Sequence, residues 1–344
     1  MVDKQNTDDQ QTDAPMTHTT VLLYETVAAM LGVEAARLSA NDAPPVQACG
    51  VFVDATFGRG GHSRLLLTHL SDDSRLVVLD KDPEAIAVAN DLAAQDARVI
   101  VYHTSFAKLA ESIKAAGFDR VDGIMADLGV SSPQLDDGRR GFSFMRDGAV
   151  DMRMDTTRGQ SVGEWLQTVD ETTLADVLYQ YGEERHSRRI AKAIKQMSNY
   201  DSTLALAETI KQAHPNWQKG KHPATQSFQA LRVFINNELG DIEQFLQQSI
   251  EVLAPNGRLA VISFHSLEDR LIKQFLQKYS KGYDPQAAQD LPAHMPAPAV
   301  PRYFSKPERI APSADEVAVN PRARSAWLRS ATRLADVAPL SATP

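Results

Sequence analysis

The segment Val51-Phe-Val-Asp54-Ala-Thr-Phe-Gly58-Arg-Gly60-Gly61-His62-Ser63 constrains this chain more than any other. It is followed about twenty residues on by Leu76-Val-Val-Leu79-Asp80. The first apolar run has the length of a buried strand, the glycines permit a tight turn, and a helical pattern opens near Ser63. The second run ends in a carboxylate. A strand, a glycine turn, a helix and an acid-tipped strand together form the nucleotide crevice at the C-terminal edge of a parallel sheet. There the glycines admit a ligand close to the backbone and the acid reaches ribose hydroxyls.

Which nucleotide binds is a separate question. Gly58-x-Gly60-x-x-Ser63 nearly fits the dinucleotide fingerprint, so a dehydrogenase is the first competitor. Against it, Asp54 stands at the strand end ahead of the first glycine, where it would press a negative charge toward a pyrophosphate. S-adenosylmethionine has no phosphate and carries an ammonium and a sulfonium that a carboxylate attracts. The pattern Asp-x-Thr-x-Gly-x-Gly-Gly resembles the first motif of class I methyltransferases. The plainer alternative is that the glycines only make a turn and Asp80 only caps a helix.

A chain of 344 residues with 43% hydrophobic and 23% charged residues can build a large core and an insertion. One cysteine, Cys49, excludes an internal disulfide framework and a four-cysteine zinc site; it is expected to be at least half-buried. No apolar run reaches the roughly twenty residues of a membrane span, and the N-terminus lacks a signal pattern, so a cytoplasmic protein without membrane partners is expected. The net charge of -8 argues against bulk attraction to nucleic acid. Between Arg185 and His222, however, eight basic residues (Arg185, Arg188, Arg189, Lys192, Lys195, Lys211, Lys219, Lys221) stand against two acidic ones, a local footprint or merely a solvated helix face.

Residues 1–15 read as a disordered tail. Strands are expected at 51–55, 76–80, 98–102, 123–128 and 258–264, with a last one near Trp327 and helices between. That alternation implies a mostly parallel sheet covered on both faces. Helices are expected at 63–70, 83–94 and 106–116. The fourth and fifth strands lie too far apart for one crossover, which signals an insertion over 135–223 with helices near 174–181, 185–197 and 204–213. A long helix over 227–246 should return the chain to the sheet. The domain layout is therefore 16–134 and 224–344 around a helical insert suited to a large substrate. The tract 282–301 reads as a flexible loop.

After the fourth strand come Asp127-Leu-Gly-Val-Ser131-Ser132-Pro133-Gln134. Methyltransferases acting on base amines carry a short polar-Pro motif at this place, and Ser132-Pro133-Gln134 resembles a variant lacking the usual aromatic. A base amine has its lone pair delocalised into the ring. Acceptors for its hydrogens favour the pyramidal nitrogen that attacks a methyl group in line. Asp127, Ser132 and the Pro133 carbonyl are the candidates, and no metal is called for. Arg139, Arg140, Phe142 and Arg146 then place arginines beside an aromatic, a pattern that grips phosphates and stacks bases. At the end of the fifth strand Ser266-x-x-Asp269 reads as a capping box, and His265 is left as a base contact or proton acceptor.

In order along the chain stand His18-Thr-Thr-Val-Leu-Leu23, Thr56-Phe-Gly-Arg-Gly-Gly-His-Ser63, Asp127-Leu-Gly-Val-Ser-Ser-Pro-Gln-Leu-Asp136, Arg140-Gly-Phe-Ser-Phe-Met-Arg146, Asp151-Met-Arg-Met-Asp155, Tyr181-Gly-Glu-Glu184, His222-Pro-Ala-Thr225, Ser263-Phe-His-Ser-Leu-Glu-Asp-Arg270 and Asn320-Pro-Arg-Ala-Arg-Ser325. The series resembles the bacterial small-subunit rRNA cytosine-N(4) methyltransferases, the RsmH or MraW family. That resemblance implies a class I, Rossmann-like fold with a mostly parallel seven-stranded sheet and an inserted helical domain. It also implies methyl transfer from S-adenosylmethionine to the N(4) amine of a cytidine in the decoding region of 16S rRNA, within the small ribosomal subunit. It assigns cofactor contacts to Gly60, Gly61, His62, Asp80, Phe106, Asp127 and Gln134. Substrate contacts are expected from Arg139, Arg140, Phe142, Arg146, Arg188, Arg189 and His265, and a homodimer is left open. The competing functions are a base-amine methyltransferase acting on DNA or a small molecule, and a non-catalytic ribosome-assembly factor.

Overall fold

The structure is a computed structural model that describes residues 20–40, 43–215, 222–289, 291–292 and 295–335. The expected tail over 1–15, and Lys219 and Lys221 of the basic window, lie outside the described residues.

Seven strands form one sheet: β1 (Val51–Asp54), β2 (Arg75–Asp80), β3 (Val99–His103), β4 (Val121–Asp127), β5 (Leu253–Ser263), β6 (Glu308–Ile310) and β7 (Trp327–Thr332). The order is β3-β2-β1-β4-β5-β7-β6. β1 to β5 pair in parallel, and β7 runs antiparallel between β5 and β6. This is the expected class I, mostly parallel arrangement. β6 carries no sequence signal, because three residues, the exposed Glu308 and Arg309 and the part-buried Ile310, are too few to show an apolar period.

Alternate residues of each strand feed two cores. Val53, Val77, Ile124 and Val261 pack against the helices Leu109–Ala115, Glu238–Val252 and Ser266–Lys281. Phe52, Leu76, Met125 and Ala260 point to the other face, against Leu23–Leu31, Gly61–Thr68 and Pro83–Gln95. Burial on both faces is why these strands read as continuous apolar runs. The chain runs outward from β1 to β3 and returns to place β4 on the far side of β1. The tips of β1, β2 and β4 therefore surround a switch in strand order, where ligands bind in open parallel sheets.

The segment expected as one helix over 227–246 is two, Ala224–Ile235 and Glu238–Val252. Asn237 at the break adopts a left-handed φ of 52°, a conformation that asparagine tolerates. The Asn236 side chain accepts from the Met154 amide at 2.7 Å and donates to the Met152 carbonyl at 2.7 Å, trading helix continuation for a tie to the insert. The third core joins Phe142, Trp165, Leu178, Ile190, Ile194 and Ile210 to Phe228 and Leu231 of the first of these helices. By packing, that helix belongs to the insert, and the boundary expected at 223 moves to Asn236. In the tract 282–301, expected as a flexible loop, the short helix Pro285–Gln289 is present. Cys49 is exposed rather than half-buried.

Candidate functional site

At the strand tips lies a cavity of about 460 Å³, walled by the β1 glycine loop, the β2 tip, Phe106, the β4 tip and Phe264. Gly60 has a φ of +76°, and a Cβ there would sit 2.5 Å from the Phe57 ring, so this turn requires glycine. Two carboxylates fix the loop. Asp54 is 3% exposed; it accepts from the Thr56 amide at 3.1 Å and the Ser63 hydroxyl at 2.6 Å. Asp80 accepts from the Gly58 amide at 2.8 Å and the Asp82 amide at 2.8 Å while also lining the cavity. Asp82, not Asp80, caps the next helix.

The charge role expected for Asp54 is corrected by this geometry. Its carboxylate holds the loop from beneath and is not among the cavity-lining residues. Burial pushes both Asp54 and Asp80 up to about 6. A carboxylate raised in the folded state favours folding fully below its unfolded value and loses that contribution as pH rises through the folded one. Relative to Asp54→Asn, the wild-type chain is therefore expected to gain about 2 kcal/mol as pH falls from 8 to 4.5. Urea unfolding of both at several pH values measures this, and a pH-independent difference would contradict it.

The polar-Pro turn also differs from expectation. It begins a short helix, Ser132–Asp136, with Ser131 as N-cap in a reciprocal box with Gln134. The Pro133 carbonyl accepts from the Asp137 amide at 2.9 Å and Pro133 is not among the lining residues, which removes it as an acceptor for a substrate amine. Ser132 does line the cavity. Gln134 accepts from the Ser131 amide at 2.8 Å and donates to Asp82 at 2.6 Å, so its amide braces the turn at the cavity edge.

Asp127 sits at the β4 tip with its amide 2.6 Å from the Thr56 hydroxyl, which holds β4 and the β1 loop in register. Its Oδ2 lies 3.9 Å from His62 Nδ1, and its Oδ1 is buried with no hydrogen-bond partner. Burial, with the charges of Asp54 and Glu268 adding to it, pushes Asp127 well above the usual carboxylate range. His62 is 6% exposed, its Nε2 3.1 Å from the Val21 carbonyl. Phe106 forms an apolar wall against Phe245.

His265 proves to be a cap. It begins the helix Ser266–Lys281, with Nδ1 accepting from the Glu268 amide and Glu268 returning to the His265 amide. The box expected at Ser266 and Asp269 is thus shifted by one residue, and His265 is not among the lining residues, whereas Glu268 is. Although no metal centre was expected, ligand atoms of Glu238, His265 and Glu268 lie within 4.8 Å of one another. The Arg232 guanidinium binds both oxygens of Glu238 at 2.8 and 2.9 Å and already supplies positive charge to the trio. Sequence reasoning missed Asp82, Arg232, Glu238 and Glu268. Of these only Glu268 had a readable signal, its spacing from His265.

The profile of the MraW methylase family matches residues 15–334. The chain belongs to the MraW methylase family. Family members similar to it include proteins named ribosomal RNA small subunit methyltransferase H from Psychrobacter sp. (strain PRwf-1), 72% identical over 92% of this chain and 91% of the relative, and from Psychrobacter cryohalolentis, 68% identical over 92% of each. The namesake from Acinetobacter baumannii is 54% identical over 93% of this chain and 98% of its own length.

In this MraW methylase the basic residues divide into two sets. Arg139, Arg146, Arg188 and Arg189 are exposed; Arg139 pairs with Asp137 and Arg146 donates to the Asp136 carbonyl. Arg140 is 7% and Phe142 6% exposed, which corrects their expected contact with substrate. Arg140 binds Asp82 at 2.9 Å and the carbonyls of Arg153 and Met154, while Phe142 packs in the insert core. They build the joint between insert and sheet. Among the described residues no helix is long and apolar enough to cross a membrane.

Proposed function

We propose that this chain transfers the methyl group of S-adenosylmethionine, by direct in-line displacement, to the exocyclic N(4) amine of a cytidine in the decoding region of 16S rRNA, within the small ribosomal subunit and in the cytoplasm. The observation that carries this reading is Asp127, whose partnerless buried carboxyl oxygen belongs to a residue lining the cavity at the strand tips. The residues present fit the cofactor. Gly58 and Gly61 line the cavity with bare loop backbone, Asp80 stands where ribose hydroxyls need an acceptor, and Phe106 offers an apolar wall, whereas Gly60, expected as a cofactor contact, faces the Phe57 ring and serves the turn. His62 and Gln134 complete that wall beside Asp127. When bound, S-adenosylmethionine supplies an electrophilic methyl group.

The cytidine preference follows from the state of Asp127. A neutral carboxyl accepts through one oxygen and donates through the other. Cytosine places an amine hydrogen beside the unprotonated N3, so the two edges match; uracil reverses both groups. Ser132 supplies a further acceptor for the second amine hydrogen. The exposed Arg139, Arg146, Arg188 and Arg189 are assigned to phosphates.

Incubation with labelled S-adenosylmethionine and small subunits lacking the modification is expected to yield N(4)-methylcytidine at one nucleotide in the decoding region, identified by digestion and mass spectrometry. Label on duplex DNA at equal rate, or on another base, would refute the assignment.

A further inference from the structure

A second carboxylate faces the same cavity. We propose that Glu268 is a catalytic residue of this site, the acceptor of the proton that the substrate amine gives up as it is methylated. The inference rests on the functional reading above and deepens it.

Glu268 is 0% exposed to solvent yet lines the cavity. Its two oxygens do different things. Oε2 accepts from the amides of Phe264 at 2.8 Å and His265 at 3.2 Å and so anchors the start of the helix that follows β5. Oε1 is buried and accepts no aligned hydrogen bond; it lies 3.1 Å from His265 Nε2 and 4.0 Å from Arg232 Nη2. A buried carboxylate oxygen without a well-made hydrogen bond costs about 1–3 kcal/mol, and a catalytic role is one of the reasons native structures keep such a group. The orphaned Asp127 Oδ1 belongs to the same cavity, and the two carboxyls are near enough for Glu268 to raise Asp127.

Their environments separate them. Burial works against ionised Glu268, but His265, Arg232 and the Phe264 amide outweigh it and hold the group below the usual range. Asp127 lies 3.9 Å from the His62 ring, and burial with the charges of Asp54 and Glu268 holds it above that range. Two carboxyls in one site with ionisation pushed apart divide the labour of base and neutral hydrogen-bonding group. In the transfer, the amine nitrogen forms the new C–N bond while the S–CH3 bond breaks and its electron pair stays on sulfur. The nitrogen then carries one hydrogen too many. That proton passes to Glu268 Oε1, the N–H pair returns to nitrogen, and the resulting carboxylic acid later releases the proton to water.

Glu268→Gln tests this. Glutamine keeps an oxygen for the Phe264 and His265 amides but turns an N–H donor toward the cavity. Single-turnover transfer to small subunits is expected to fall about 10²- to 10⁴-fold, the range for loss of a general base. The second readout is binding without chemistry. With S-adenosylhomocysteine present, wild type is expected to hold subunits bearing the target cytidine about tenfold more tightly than subunits bearing uridine there, and Glu268→Gln to keep that preference, which Asp127 supplies, so that its loss is confined to the chemical step. Glu268→Asp keeps the charge and the cap while withdrawing the acceptor, and is expected to be at least about tenfold slower with unchanged affinity for S-adenosylhomocysteine. A wild-type transfer rate in either folded variant, or a rate loss fully accounted for by weaker binding of cytidine-bearing subunits, would overturn the role. If wild type itself leaves no N(4)-methylcytidine, the functional proposal falls; if wild type methylates and the variants match it, the Glu268 assignment alone falls.

Discussion

Asp127→Ala is expected to reduce methyl transfer at least about 10³-fold, whereas Asp127→Asn stays within roughly tenfold of wild type. The contrast follows from the protonation state assigned to Asp127. Its Oδ1 is buried and partnerless, and burial with the neighbouring charges of Asp54 and Glu268 pushes the carboxyl well above the usual carboxylate range, which favours its neutral form. A neutral acid and an amide present the same edge, one acceptor and one donor, so asparagine reproduces the pairing with the cytosine amine and N3. Alanine removes both and leaves the amine hydrogen without the Asp127 acceptor. Losing one preorganised contact of this kind costs about 10²–10³ in rate, and two are lost. Steady-state kinetics on small subunits, with calorimetric affinity for S-adenosylhomocysteine as a fold control, measures the difference. An asparagine variant as inactive as alanine would show that Asp127 works as an anion, and full activity in Asp127→Ala would remove it from the site.

The parts of this site that were legible in the sequence are those that local backbone chemistry dictates. Gly60 is required by a left-handed turn, the apolar runs at Val51 and Leu76 by strands buried on both faces, and Asp80 by its position at a strand tip. What was not legible depends on long-range partners. Arg140 and Phe142 share their motif with exposed Arg139 and Arg146, and only the approach of Asp82 and of the insert core decides which side chains turn inward. Pro133 was misjudged because a polar-Pro sequence fits a strand-end turn and a helix N-terminus equally well; the reciprocal bonds of Ser131 and Gln134 select the helix. The capping box after β5 was read one residue late, since histidine is not a common N-cap, and that shift concealed Glu268.

Arg140→Ala is expected to destabilise the protein by about 3–5 kcal/mol and to weaken cofactor binding, although Arg140 is not among the residues lining the cavity. Asp82 is 4% exposed, and its Oδ2 receives both Arg140 at 2.9 Å and Gln134 at 2.6 Å, while its Oδ1 caps the helix after β2. The other arm of the guanidinium holds the carbonyls of Arg153 and Met154 at 3.1 and 3.0 Å. One planar cation thus ties the cofactor side of the sheet to the insert. Removing it leaves a buried carboxylate without its counter-charge and two carbonyls without a donor. Lysine cannot span the same partners from a single ammonium, so Arg140→Lys is expected to fall between alanine and wild type. Urea unfolding gives the magnitudes, and a double-mutant cycle assigns the cause: in an Asp82→Asn background the Arg140→Ala penalty should shrink by at least about 1 kcal/mol, because the unpaired anion is already gone. The exposed Arg139 provides the control, since Arg139→Ala should leave stability unchanged and weaken only the hold on the small subunit. If Arg140→Ala behaved like Arg139→Ala, the motif would be a single RNA-facing surface and the buried joint between insert and sheet would be wrong.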